Sequence, residues 1–220
     1  MTRQLKFGRK GAPQGQAKSI VIFVHGYGAD GADLLGLADA LGPYLPDAAF
    51  FAPDAPEPVP GMPFGRQWFP IPRFDGSTEA QAEAGLAAAS GDLNAFLDAR
   101  LAEEGLAPSA LALFGFSQGA MMSLHIAPRR EEAIGGVVAI SGRLLAPERL
   151  VPETVSQPPI LLIHGDADEV VEFENLSLAG NALVGAGFET YAHVMKGTGH
   201  GIAPDGLSVA LSFLKDSLPG

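Results

Sequence analysis

The reading of the fold turns on Leu111-Ala112-Leu113-Phe114-Gly115-Phe116-Ser117-Gln118-Gly119-Ala120-Met121-Met122-Ser123-Leu124. The apolar run up to Phe116 is short and strand-like. The run from Ala120 to Ala127 has no Asp, Glu, Lys or Arg until Pro128-Arg129-Arg130 and predicts a helix buried on most of its faces. Between them, Gly115-x-Ser117-x-Gly119 is the pattern of a nucleophile elbow. A serine on so sharp a strand-to-helix turn is pushed clear of the sheet, and a Cβ on either flanking glycine would collide with neighbouring backbone. With 28 glycines in the chain the pattern alone is weak, and a serine that merely caps the following helix is the plain alternative. The surrounding sequence decides between them.

Working outward, strand-like and helix-like segments alternate. Ser19 to Val24 is a continuous run of strand formers that leads into His25-Gly26-Tyr27-Gly28-Ala29-Asp30-Gly31, and Leu34 to Leu41 follows with helical spacing. Ala48 to Ala52 predicts a further strand. From Pro53 to Pro72 seven prolines exclude a regular helix, and the same loop carries Phe64, Trp68 and Phe69. Thr78 opens a long helix that ends at Gly105. Gly136 to Ile140, Ile160 to Ile163 and Thr190 to Met195 are the remaining central strands, with helices expected around Phe173 to Leu183 and Leu207 to Leu218. Leu5 to Phe7 is expected as a short edge strand and Gly8 to Gln16 as a turn. Apolar strands alternating with helices imply an α/β fold, a mainly parallel sheet covered on both faces. No internal repeat or long linker divides it, so one domain is expected over residues 1–220.

Composition narrows the function. A formal net charge of −11 opposes binding to nucleic acid or anionic membrane surfaces and favours neutral or cationic small molecules. The chain has no cysteine, which excludes disulfides, thiolate metal sites and a Cys nucleophile. No apolar run reaches the ~18 residues of a membrane span, and the basic N-terminal stretch lacks the apolar region of a signal peptide. A cytoplasmic location is the resulting expectation.

In open α/β sheets the working residues gather at the carboxyl ends of the strands. Here those ends carry the Gly26 to Gly31 loop, Ser117, Ser141, Asp166 with Asp168, and His200. A serine hydroxyl needs a base, and the base needs a carboxylate to fix its tautomer. Ser117, Asp168 and His200 stand in the chain order Ser, Asp, His. Among the five histidines, His25 and His164 read as rings packed under loops, His125 lies too far along the elbow helix, and His193 sits in a strand; His200 follows the last strand in a glycine-rich loop. Asp166 is placed to bond amides of its own turn, whereas Asp168 lies further toward the His200 loop and takes the triad role; residue type alone does not separate them. Backbone N–H groups of Tyr27 and Gln118 are the expected oxyanion donors. Phe64, Trp68, Phe69 and Leu144 are expected to wall an acyl site.

These segments together resemble the carboxylesterase and acyl-protein thioesterase family of small α/β-hydrolases, also called phospholipase/carboxylesterases. The likeness rests on His25-Gly26-Tyr27-Gly28, Gln67-Trp68-Phe69, Gly115 to Ala120, His164-Gly165-Asp166-Ala167-Asp168 and Gly199-His200, in order along most of the chain. It implies an α/β-hydrolase fold with no large cap domain. It also implies hydrolysis of carboxylic esters, with thioesters or lysophospholipids as alternatives, through an acyl-serine and with neither cofactor nor metal. Ala29 between Gly28 and Asp30, and Arg143 where the family commonly has an aromatic, point toward bacterial-type carboxylesterases for small esters rather than lipidated proteins. A homodimer is compatible with the sequence. The formal runner-up is a Rossmann oxidoreductase: Gly26-x-Gly28-x-x-Gly31 matches a dinucleotide fingerprint, with Asp54 at an acceptable distance. The proline-rich loop after the second strand argues against it, and it leaves Ser117, Asp168 and His200 without a role.

Overall fold

The computed structural model describes residues 2–219. In chain order its elements are β1 (Phe7–Gly11), β2 (Ser19–Val24), α1 (Gly31–Leu35), α2 (Leu37–Leu41), β3 (Ala48–Pro53), β4 (Glu57–Pro58), β5 (Arg66–Gln67), α3 (Pro72–Asp75) and α4 (Glu79–Glu104). The second half adds β6 (Leu111–Phe116), α5 (Gln118–Ile126), β7 (Gly136–Ile140), α6 (Leu150–Glu153), β8 (Ile160–Gly165), α7 (Glu174–Gly185), β9 (Thr190–Met195) and α8 (Pro204–Ser217). Seven strands form one sheet in the order β1-β3-β2-β6-β7-β8-β9. Within this sheet, among the described residues, only the β1–β3 pair is antiparallel.

The strands read as unbroken apolar runs because both faces are covered. Alternate residues of β2 serve different layers: Ile20, Ile22 and Val24 join Leu93 and Leu97 of α4, while Val21 and Phe23 join Leu34, Ala38 and Leu41 on the other side. Leu161 and Ile163 of β8 meet Ala210 and Leu214 of α8 on that second face. Burial of an aliphatic or Phe side chain stabilises by about 1.5–3 kcal/mol, so this two-sided core is the main favourable term. Helix α4 is closed at both ends as its sequence predicts. The Thr78 hydroxyl accepts from the Gln81 amide while the Gln81 side chain accepts from the Thr78 amide, and Gly105 takes the left-handed conformation at φ 70°.

The sheet edge and the first helix differ from expectation. The edge strand runs from Phe7 to Gly11, over residues expected as a turn, because pairing with β3 supplies hydrogen bonds that local propensity does not foretell. The helix expected over Leu34 to Leu41 is divided at Gly36, where a helical residue is least stabilising. Within the proline-rich loop, β4 and β5 form a small antiparallel hairpin, and Pro72 starts the single turn of α3. Among the described residues, no large cap domain stands over the carboxyl edge of the sheet.

The elbow sets the tightest packing in the fold. A Cβ on Gly119 would lie 1.8 Å from the Val24 carbonyl oxygen, and one on Gly115 would lie 2.4 Å from that of Gly119. Gly119→Ala should therefore cost more than ~3 kcal/mol or prevent folding, whereas Gly91→Ala, inside α4 with its nearest neighbour at 4.0 Å, should add about 0.5–1 kcal/mol. Urea unfolding midpoints of the two variants check both signs.

Candidate active site

Ser117 joins β6 to α5 with φ 55° and ψ −117°, a backbone conformation that side-chain-bearing residues rarely adopt. Its amide donates to the Ile140 carbonyl at 2.9 Å and its carbonyl accepts from Met121 at 3.1 Å, so the turn is held from the neighbouring strand and from its own helix. The hydroxyl is thereby lifted to the carboxyl edge of the sheet.

His200 lies between this hydroxyl and a carboxylate. Its Nδ1 is 2.8 Å from Asp168 Oδ2 and its Nε2 is 3.0 Å from Ser117 Oγ. An ionised carboxylate only accepts, so Nδ1 carries a proton, and Nε2 is the ring nitrogen that faces the serine hydroxyl. Phe116 packs its ring 5.0 Å from the imidazole. The other Asp168 oxygen accepts from the Val170 and Val171 amides at 2.9 and 3.0 Å. Burial pushes the Asp168 carboxyl up, but the bonds from His200, Val171 and Val170 outweigh it and hold the group below its ordinary range.

The two aspartates divide their work differently from the expectation. Asp168, not Asp166, bonds amides of its own turn, and it does so with the oxygen that His200 leaves free. Asp166 reaches across to the Gly197 amide at 2.6 Å and braces the loop that carries His200. The remaining histidines have other partners. The His164 Nε2–H donates to the Val171 carbonyl at 2.8 Å, beneath the Asp168 turn. His25 is fully buried; its Nε2 accepts from the Ala55 amide at 2.9 Å, so its Nδ1–H donates to the Gly26 carbonyl at 2.7 Å. Burial lowers its pKa and keeps that ring neutral. His125, also buried and flanked by Arg129, is lowered to about 4, and His193 pairs with Asp205.

The Gly26–Tyr27 loop lies directly against Ser117: a Cβ on Gly26 would be 3.2 Å from Ser117 Cβ. The Tyr27 and Gln118 amides donate to no protein acceptor among the described residues. Gln118 follows Ser117 directly in the chain, and Tyr27 follows Gly26, whose Cβ position is the one beside Ser117. Asp54, which a dinucleotide site would direct to a ribose, instead caps the loop by accepting from Gly31 at 3.0 Å. The same loop leaves Gly31 no room for a side chain, with the Ala52 carbonyl 2.4 Å from its Cβ position.

The expected acyl wall needs correction. Trp68 is 0% exposed and Phe69 is 6% exposed, so neither offers surface to a ligand. The Trp68 indole N–H is drawn inward to the His25 carbonyl at 2.9 Å, a partner that prolines in the sequence gave no hint of. Phe64 stays outside at 86% exposure, and Leu144 is partly buried against the core. Met62 and Phe74, not singled out from the sequence, lie against the Tyr27 loop: Met62 Sδ is 3.2 Å from the Cβ position of Gly28, and the Phe74 ring is 5.7 Å from that of Tyr27. Both are about half exposed beside the loop. Met62 shares the proline-rich segment with Phe64, and Phe74 lies two residues beyond it, in α3.

Comparison with known proteins finds relatives along nearly the whole chain. The model of the Phospholipase/Carboxylesterase family matches residues 11–218. The crystal structure of esterase PE8 superposes with a TM-score of 0.92 at 41% identity, covering 98% of this chain and all of that one. Esterase YpfH of Escherichia coli is 29% identical over 94% of this chain and 87% of its own length. An acyl-protein thioesterase 1 of Gibberella zeae is 26% identical over 93% of this chain and 92% of its own.

The depressed pKa of Asp168 gives a signed prediction. The fold favours the ionised carboxylate, so its stabilisation is complete above the unfolded value of about 3.9 and is lost as pH falls through the lower folded value. Asp168→Asn should remove part of the acid slope of stability below about pH 4, read from urea midpoints, and lower kcat by ~10³-fold or more. Asp166→Asn, which keeps an acceptor for Gly197, should change kcat far less.

Proposed function

The chain belongs to the phospholipase/carboxylesterase family and is an ester hydrolase; from that premise we propose that it works through an acyl-Ser117 intermediate, with His200 as base and Asp168 as its orienting carboxylate. The observation that carries the proposal is the unbroken chain of short contacts from Asp168 through His200 to Ser117 Oγ, on a serine held at φ 55°.

Each step follows from groups already described. Ser117 Oγ attacks the acyl carbon while its proton passes to His200 Nε2, and the imidazolium so formed is stabilised by Asp168. The carbonyl oxygen becomes an oxyanion and takes the N–H groups of Tyr27 and Gln118. Collapse breaks the ester C–O bond, and His200 returns the proton to the departing alkoxide. Water then gives a proton to His200 as its oxygen attacks the acyl carbon; a second collapse breaks the C–Oγ bond and releases the carboxylic acid as His200 returns the proton to Ser117 Oγ. A thioester follows the same path with a thiolate leaving.

The acyl chain is assigned to the apolar surface of Phe64 and Leu144, with Met62 and Phe74 beside the Tyr27 loop. Exposed aromatics and a net charge of −11 favour neutral acyl groups of small to medium length over anionic ones. Each methylene covered contributes up to ~0.8 kcal/mol, about three- to fourfold in kcat/KM until the surface is used. A series of p-nitrophenyl esters and acyl thioesters from acetyl to decanoyl tests this. Activity should climb to medium chains, Phe64→Ala should flatten the climb with less than ~0.5 kcal/mol change in stability, and Ser117→Ala should lose ~10⁴-fold or more. Ester turnover that survives in Ser117→Ala would overturn the proposal.

A further inference from the structure

Two amides that must meet at one oxyanion come from segments far apart in sequence, so something has to set their spacing. Tyr27 is bracketed by bonds on both sides. The Trp68 indole N–H donates to the His25 carbonyl at 2.9 Å, and the Gly28 amide donates to the Arg66 carbonyl at 2.8 Å, with the Arg66 amide returning a bond to Ala29 at 2.9 Å. The peptide that carries the Tyr27 N–H has the Gly26 carbonyl at its other end. That carbonyl accepts from the His25 ring at 2.7 Å, and because N–H and C=O point oppositely across a trans peptide, the bond aims the Tyr27 N–H.

The same short segment grips the other donor. The Gln118 side chain accepts from the Trp68 amide at 2.8 Å and donates to the Phe69 carbonyl at 2.7 Å, so both ends of its amide are used. Gln118 is 1% exposed and Trp68 is 0% exposed. Buried bonds of this kind are costly to leave unmade, which fixes their geometry. Residues 66–69 thus touch the backbone on either side of Tyr27 and the side chain of Gln118, a rigid span between the two donors.

We infer that Trp68 and the Gln118 side chain are positioning residues: they hold the Tyr27 and Gln118 amides at the separation that an oxyanion requires. The inference rests on the acyl-serine reading above. It assigns to the proline-rich segment a role in the transition state rather than in substrate contact, since neither side chain reaches the surface.

Trp68→Phe deletes one N–H and keeps most of the ring volume; Gln118→Met keeps length and loses both bonds. Loss of a whole oxyanion donor costs about 10²–10³ in kcat, so misplacing one should cost about tenfold in Trp68→Phe and more in Gln118→Met. KM should change little, and the pH profile of kcat/KM should keep its wild-type midpoint, since the His200 relay is untouched. The deciding measurement is reversible inhibition by an alkyl trifluoromethyl ketone, whose serine adduct bears the oxyanion, with active sites counted by fluorophosphonate titration. Weakening of the ketone in step with kcat/KM per active site supports the inference. Wild-type ketone affinity and kcat per active site in either folded variant, with only a lowered Tm, would overturn it. A wild-type enzyme that neither ketone nor fluorophosphonate engages would instead overturn the acyl-serine reading.

Discussion

The backbone at Ser117 is the constraint on which the rest of the structure depends. Holding a serine at φ 55° costs on the order of 1–3 kcal/mol, and it persists only where the surroundings over-determine it. Here they do. The Ile140 carbonyl takes the Ser117 amide from the adjacent strand, and Gly119 lets α5 approach the end of β2 so closely that no Cβ fits between them. The parallel order β2-β6-β7 at the middle of the sheet places those two neighbours on either side of the elbow strand. Strain at one residue is thus offset by the burial of strands apolar on both faces.

From that fixed serine, the other groups are supplied by loops that leave the same edge, each tied down by more than one bond. Asp168 is held by two amides of its turn while its second oxygen serves His200. Asp166 restrains the Gly197 end of the next loop, and His164 supports the Asp168 turn from below. Arg73 donates to the Val170 carbonyl at 2.8 Å, which links α3, beside Tyr27, to the Asp168 turn. Rigid placement of this kind matters because misplacement by an ångström can cost a hundredfold in rate.

Much of this was legible in the residues. Ser19–Val24, Gly136–Ile140 and Thr190–Met195 match the observed strands at both ends, since runs of strand formers bounded by glycine or polar residues leave little choice of state. The chain order Ser117, Asp168, His200 and the glycine loop after β2 named the groups that the structure brings together. What stayed hidden depended on non-local partners. Gly8 to Gly11 has poor strand propensity and is a strand only because β3 lies beside it. Prolines marked the segment of Trp68 as a loop, but the inward turn of the indole is decided by the His25 carbonyl and the Gln118 side chain. Asp166 and Asp168 are the same residue type two positions apart, and only the placement of Gly197 and His200 gives them separate tasks.

The central claim is that Ser117 is the one serine made nucleophilic by this arrangement. Its most direct test is peptide mapping by mass spectrometry after a short exposure to a fluorophosphonate. The account predicts a single adduct on the peptide containing Ser117 in the folded wild type, and none after denaturation or in Ser117→Ala. An adduct on a different serine, or labelling that persists in Ser117→Ala, would contradict it.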